Sequence, residues 1–110
     1  MWQRIFKKFG KREIKFWWQR RTRKWDDSET WNLDMVVTKF TLPRLKRFRE
    51  INAVSPEELT EKEWDSILNQ MIFAFETFDD HWNKELTEEE WRKIDRGFQL
   101  FGKWYMRLWW

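Results

Sequence analysis

The chain has 110 residues, enough for one domain with one core, and its lack of cysteine excludes disulfides, thiolate metal sites and cysteine nucleophiles together. Eleven Trp, ten Phe and one Tyr make 20% of the residues aromatic, more rings than one small core hides, so some are expected at the surface against a partner, a membrane or a second subunit. The net charge of +3 conceals a division: residues 1–25 hold ten basic side chains against Glu13, a balance of +9, which leaves twelve basic and eighteen acidic residues, or −6, over 26–110.

These properties fit a reducing compartment. The basic N-terminus lacks the uninterrupted apolar run of a signal peptide, and no segment approaches the roughly 20 apolar residues that span a bilayer. The expectation is a chain neither secreted by that route nor transmembrane, with a basic aromatic arm over 1–25 and an acidic body over 26–110.

In chain order, Trp2, Ile5, Phe6 and Phe9, then Ile14, Phe16, Trp17 and Trp18, sit among cations as one basic amphipathic helix or two, with Gly10 as the interruption. Asp26, Asp27 and Ser28 carry N-cap chemistry, and a second helix is expected to start there. Its stripe is Trp31, Met35, Thr38, Leu42 and Leu45, with Leu33, Val37, Phe40 and Phe48 on neighbouring faces. Asp34 interrupts that stripe and is expected to be partly buried, while Pro43 predicts a kink or a break into two short helices. A third helix begins at Ser55-Pro56 or at Thr60 and carries Trp64, Ile67, Leu68, Met71, Ile72, Phe75, Phe78 and Trp82 at helical spacing. The fourth opens with Leu86-Thr87-Glu88-Glu89-Glu90-Trp91, echoing Leu59-Thr60-Glu61-Lys62-Glu63-Trp64, and runs on through Ile94, Phe98, Phe101, Tyr105 and Leu108. No segment alternates with period two for the length of a strand. The predicted fold is all-α: an antiparallel bundle of three or four helices with a basic amphipathic N-terminal helix.

The inventory for catalysis is nearly empty. His81 is the only histidine, so neither a nucleophile with its base nor a zinc site assembles at helical spacing, and the paired carboxylates lie in first turns where the helix dipole accounts for them. No glycine-rich phosphate loop exists. The expectation is a non-enzyme with no catalytic residues, no metal and no cofactor.

Two cation clusters remain. Arg44, Lys46, Arg47 and Arg49, after Pro43, are candidate ligand contacts together with Trp31, a pattern that suits a partner with phosphates and flat rings. In the arm, Arg4, Lys7, Lys8, Lys11, Arg12, Arg20, Arg21 and Arg23, interleaved with Trp17 and Trp18, are candidate contacts to nucleic acid or to an anionic membrane surface. At the other end, Trp109 and Trp110 suit a subunit contact or a headgroup layer.

Trp31-Asn32-Leu33-Asp34 after Asp27-Ser28-Glu29-Thr30, then Leu42-Pro43-Arg44-Leu45-Lys46-Arg47-Phe48, Leu59-Thr60 through Trp64-Asp65-Ser66-Ile67-Leu68, Met71-Ile72-Phe73-Ala74-Phe75-Glu76 and a Phe98-to-Trp109 tail together resemble a family of small tailed-bacteriophage proteins, over about residues 20–110. No activity is assigned to that family, so the resemblance implies a setting and not a mechanism: an accessory protein in the host bacterial cytoplasm. By analogy, such a protein binds and counteracts host defence, sequestering a phosphate-bearing, nucleotide-type signal or blocking a host protein, as a homo-oligomer. The alternatives are nucleic-acid binding through the arm and peripheral membrane association.

Overall fold

A computed structural model describes residues 10–51 and 54–109. The expected helix over residues 2–9, with Arg4, Lys7 and Lys8, lies outside the described residues, as does Trp110. The described residues form helices and 3-10 turns with no strand, the all-α architecture expected. They divide into two compact units, one ending at Val36 and one beginning at Val37. The division between them falls inside a helix.

The N-terminal unit begins with α1, Lys11–Arg23, capped by extended Gly10 and closed at Lys24, which takes the left-handed conformation with φ 69° and donates its N–H to the Arg20 carbonyl. Asp26 then caps a single 3-10 turn, Asp27–Thr30. Its carboxylate accepts from the Ser28 N–H at 2.8 Å, and the Glu29 carboxylate accepts from the Asp26 N–H at 2.8 Å. That cap chemistry was expected to open the second helix, but it is consumed by this turn. Gln19 holds the turn from α1, accepting from the Asp27 N–H and donating to the Asp27 carboxylate, both at 2.7 Å.

Helix α2, Leu33–Ile51, starts afresh once the Asn32 carbonyl accepts from Met35 and Val36. Met35, Thr38 and Leu45 of the expected stripe are buried, with Leu42 half-buried. Trp31 precedes the helix and is exposed. Asp34 is exposed as well, contrary to expectation, because it sits in the first turn, where its Oδ1 accepts from the Met35 N–H at 2.8 Å. Pro43 does not break the helix. Proline removes the N–H that would serve the Lys39 carbonyl; one residue on, the Arg44 guanidinium donates to the Phe40 carbonyl at 2.8 Å and covers the Phe40 ring at 3.8 Å.

The C-terminal unit joins the rest of α2 to α3, Glu61–Asp79, and α4, Glu88–Lys103, followed by a 3-10 turn, Tyr105–Arg107. Thr60 and Thr87 cap α3 and α4 with reciprocal boxes: each hydroxyl accepts from the N–H of the Glu three residues on, and that Glu accepts from the Thr N–H. Ser55-Pro56 forms only a turn, in which Leu59 donates to the Pro56 carbonyl. The helices are antiparallel: Lys39 pairs with Asp79 at 3.0 Å and Arg49 with Asn69, while the Trp64 ring meets Trp104 at 6.0 Å and Phe78 meets Phe98 at 5.6 Å.

Leu45, Trp64, Leu68, Met71, Ile72, Phe75 and Leu100 make the core. In α4 the buried line is Ile94, Gly97 and Leu100, flanked by Phe98, Phe101 and Trp104. It excludes Trp91 and Tyr105, which the spacing had placed in the seam and which are exposed. The shift follows from Gly97: a Cβ there would collide with the Ala74 Cβ and the Gln70 carbonyl oxygen, so the backbones approach most closely along that line. Trp82 is also exposed, because α3 ends at Asp79.

Candidate binding surface

The faces of α1 are chemically distinct. At about 100° per residue, Lys15, Phe16, Gln19, Arg20 and Arg23 fall on the side that meets the acidic turn. There Lys15 pairs with Asp27 at 3.3 Å, Arg23 with Asp27 at 2.6 Å and Arg20 with Asp26, while the buried Phe16 ring meets Trp31 edge-on at 5.4 Å. Asp26 is 3% exposed. The Ser28 hydroxyl first, then the Arg20 guanidinium, hold its carboxyl below the usual carboxylate range against the opposing effect of burial. Hydrogen bonds from Gln19, then from Arg23 and Lys15, lower Asp27 to about 2.

On the opposite side, Ile14, Trp17, Trp18 and Arg21 face outward. Trp17 and Trp18 are 48% and 58% exposed, with their rings edge-on at 5.2 Å. Arg21 lies 5.3 Å from the Trp17 ring centre. Lys11 and Lys24 flank this face, and neither they nor Arg21 pair with a carboxylate among the described residues. Two more guanidinium–indole stacks occupy the acidic-turn side, Arg12 over Trp31 at 4.7 Å and Arg23 over exposed Trp25 at 3.8 Å. Each leaves ring area and cationic charge together at the surface.

Of the arm residues singled out in the sequence, Lys11, Arg12, Trp17, Trp18 and Arg21 thus remain open, whereas Arg20 and Arg23 are engaged in holding the turn. Trp25 and the anchors Gln19, Asp26 and Asp27 were missed. The four-residue spacing of Arg23 and Asp27 was the available signal for the anchors.

The second predicted cluster disperses around α2. Lys46 pairs with Glu76 of α3 at 2.7 Å, Arg49 donates to Asn69 of α3, Arg47 pairs with Glu50 at 2.9 Å, and Arg44 is spent on Phe40. These four do not converge on one site, and Trp31 belongs to the other unit. His81 stacks on Phe78 at 4.5 Å and its Nδ1 faces the Phe78 carbonyl.

Among the described residues no group of His, Cys, Asp or Glu is placed to hold a metal ion, and no helix is long and apolar enough to cross a membrane. No family model, curated protein or solved structure matches the chain.

Proposed function

We propose that the chain is a non-catalytic binding protein that engages single-stranded nucleic acid through its N-terminal unit. The observation that carries this reading is the division of the α1 cations: one set is neutralised by Asp26 and Asp27, while Lys11, Arg21 and Lys24 stay unpaired beside the exposed Trp17 and Trp18 rings. Cations placed among indoles match a ligand of phosphates and bases, because charge binds the first and stacking the second. A bilayer asks for one continuous apolar face. Here the rings lie on both sides of α1, with Trp25 and Trp31 opposite Trp17 and Trp18, which favours a strand that follows the surface. The resemblance to tailed-bacteriophage proteins supports an accessory role in the host bacterial cytoplasm, where holding a strand would interfere with a host process that acts on it.

Fluorescence anisotropy with a labelled oligo-dT tests this. Affinity is expected to fall with salt at about −0.7 per phosphate neutralised. The Lys11→Gln/Arg21→Gln variant is expected to flatten that slope, and Trp17→Ala or Trp18→Ala to cost about 1–3 kcal/mol where a base stacks. Salt-independent or absent binding overturns the proposal. Flotation with anionic vesicles in place of oligonucleotide binding would hand the surface to a membrane instead.

A further inference from the structure

The unit from Val37 onward is acidic, with twelve basic and fourteen acidic residues, and its cations are almost all engaged. Seven pair with carboxylates, Arg49 with the Asn69 amide, and Arg44 and Lys103 with rings. Lys62 and Arg96 alone have no hydrogen bond, ion pair or ring contact among the described residues. Both line the same cleft between α3 and α4.

That cleft has a volume of about 530 Å³, within the range of small-molecule sites. Lys62, Ser66, Gln70 and Phe73 stand on successive turns of α3, so the floor is about 16 Å long at 1.5 Å per residue. Across it, α4 contributes Arg96 and, beyond it, Lys93, whose ammonium lies 6.0 Å from the Phe73 ring centre. Phe73 is 39% exposed and is the one aromatic ring in an otherwise polar lining. The Gln70 amide donates to the Ser66 carbonyl and hydroxyl oxygens at 3.3 and 3.4 Å, which leaves the hydroxyl hydrogen to donate outward. Asp65 is the one carboxylate in the lining, and it already accepts from Asn69 at 3.3 Å.

We infer that this cleft binds a nucleotide-class ligand, with its phosphates on Lys62 and Arg96 and its base against Phe73, beside the Lys93 ammonium. Two cations in one cleft, neither with a carboxylate, amide or ring partner among the described residues, favour an anion, and an exposed ring in the same lining favours one that carries a planar group. The distance between the ends of the cleft accommodates a nucleoside with an extended phosphate chain. The same chemistry is offered by a free nucleotide and by the end of a strand.

Isothermal titration of the full chain with ATP and, separately, with inorganic pyrophosphate tests the assignment. Saturable one-to-one ATP binding is expected, with Kd raised at least tenfold in Lys62→Gln/Arg96→Gln. Phe73→Ala is expected to weaken ATP several-fold while leaving pyrophosphate unchanged. Those side chains are exposed, so circular dichroism should match the parent protein. The Lys11→Gln/Arg21→Gln variant should bind ATP normally, which separates this site from the surface on α1. Displacement of ATP by a short 5′-phosphorylated oligonucleotide would support the cleft and assign its source to a strand end. Absence of ATP binding, binding unaltered in Lys62→Gln/Arg96→Gln, or binding lost in the α1 variant would overturn the inference.

Discussion

At Gly97 a hydrogen occupies the position where any side chain would strike the Ala74 methyl group and the Gln70 carbonyl oxygen, so α3 and α4 pack backbone against backbone. Gly97→Ala must push the helices apart or distort one of them, and overpacking of that kind costs about 1–3 kcal/mol. Gly102, in the last turn of α4, has nothing within 4 Å of the corresponding position. Gly102→Ala is therefore expected to raise stability by about 0.5–1 kcal/mol, through the smaller entropy lost on forming a helix. Urea denaturation of the two variants side by side checks both signs. Neither effect could be read from the sequence, where both glycines are isolated residues in one amphipathic segment. The difference depends on the register of α3 against α4, which only the packed structure supplies.

At the scale of the helix, the repeated Leu-Thr-Glu-x-Glu-Trp pattern marked the start of α4 and one of the two starts open for α3, because reciprocal capping is a local interaction that neighbouring chain does not alter. Thr60→Ala and Thr87→Ala are each expected to cost about 1 kcal/mol, read as a drop in melting temperature. The two tryptophans of the repeat nevertheless differ: Trp64 is 3% exposed and Trp91 43%. The shared local pattern placed them alike on their helices; what lies across from each decided the outcome. Pro43 shows the converse limit. Its local cost was legible, but the Arg44 side chain that answers the Phe40 carbonyl was not, since a long side chain folding back over its own helix leaves no periodic trace. Pro43→Ala restores an N–H to the helix interior and is expected to stabilise α2, measurable as slower amide exchange at residues 39–44.

At the scale of the molecule, the two units differ in what holds them. The C-terminal one rests on a core of seven buried apolar residues, the N-terminal one on buried Phe16 and Met35 and on a network of charge around Asp26 and Asp27. That network is sensitive to acid. The Asp27 carboxyl titrates at about 2 in the folded protein, against about 3.9 in an unfolded chain. Between those values the unfolded chain binds a proton that the folded one refuses, so the stabilisation is complete above about pH 4 and disappears as pH falls toward 2. Asp26, shifted in the same direction, adds to the effect. Acid titration followed by NMR should show α1 resonances losing their dispersion before those of α3 and α4, and Asp27→Asn should weaken that dependence. The charge division along the chain was legible at once; that the acids just beyond the arm neutralise one of its faces and leave the other open was not, because residues 15–27 must first fold back on themselves.

Trp64 also has an indole N–H that is fully enclosed and meets no acceptor among the described residues, its nearest aromatic neighbour being the Trp104 ring set edge-on. A proton of this kind can trade with deuterium only when the surrounding helices part far enough to admit solvent. Among the indoles of the described residues it should be the last to vanish in heavy water, and its lifetime would serve as a gauge of how often the interior of the protein opens.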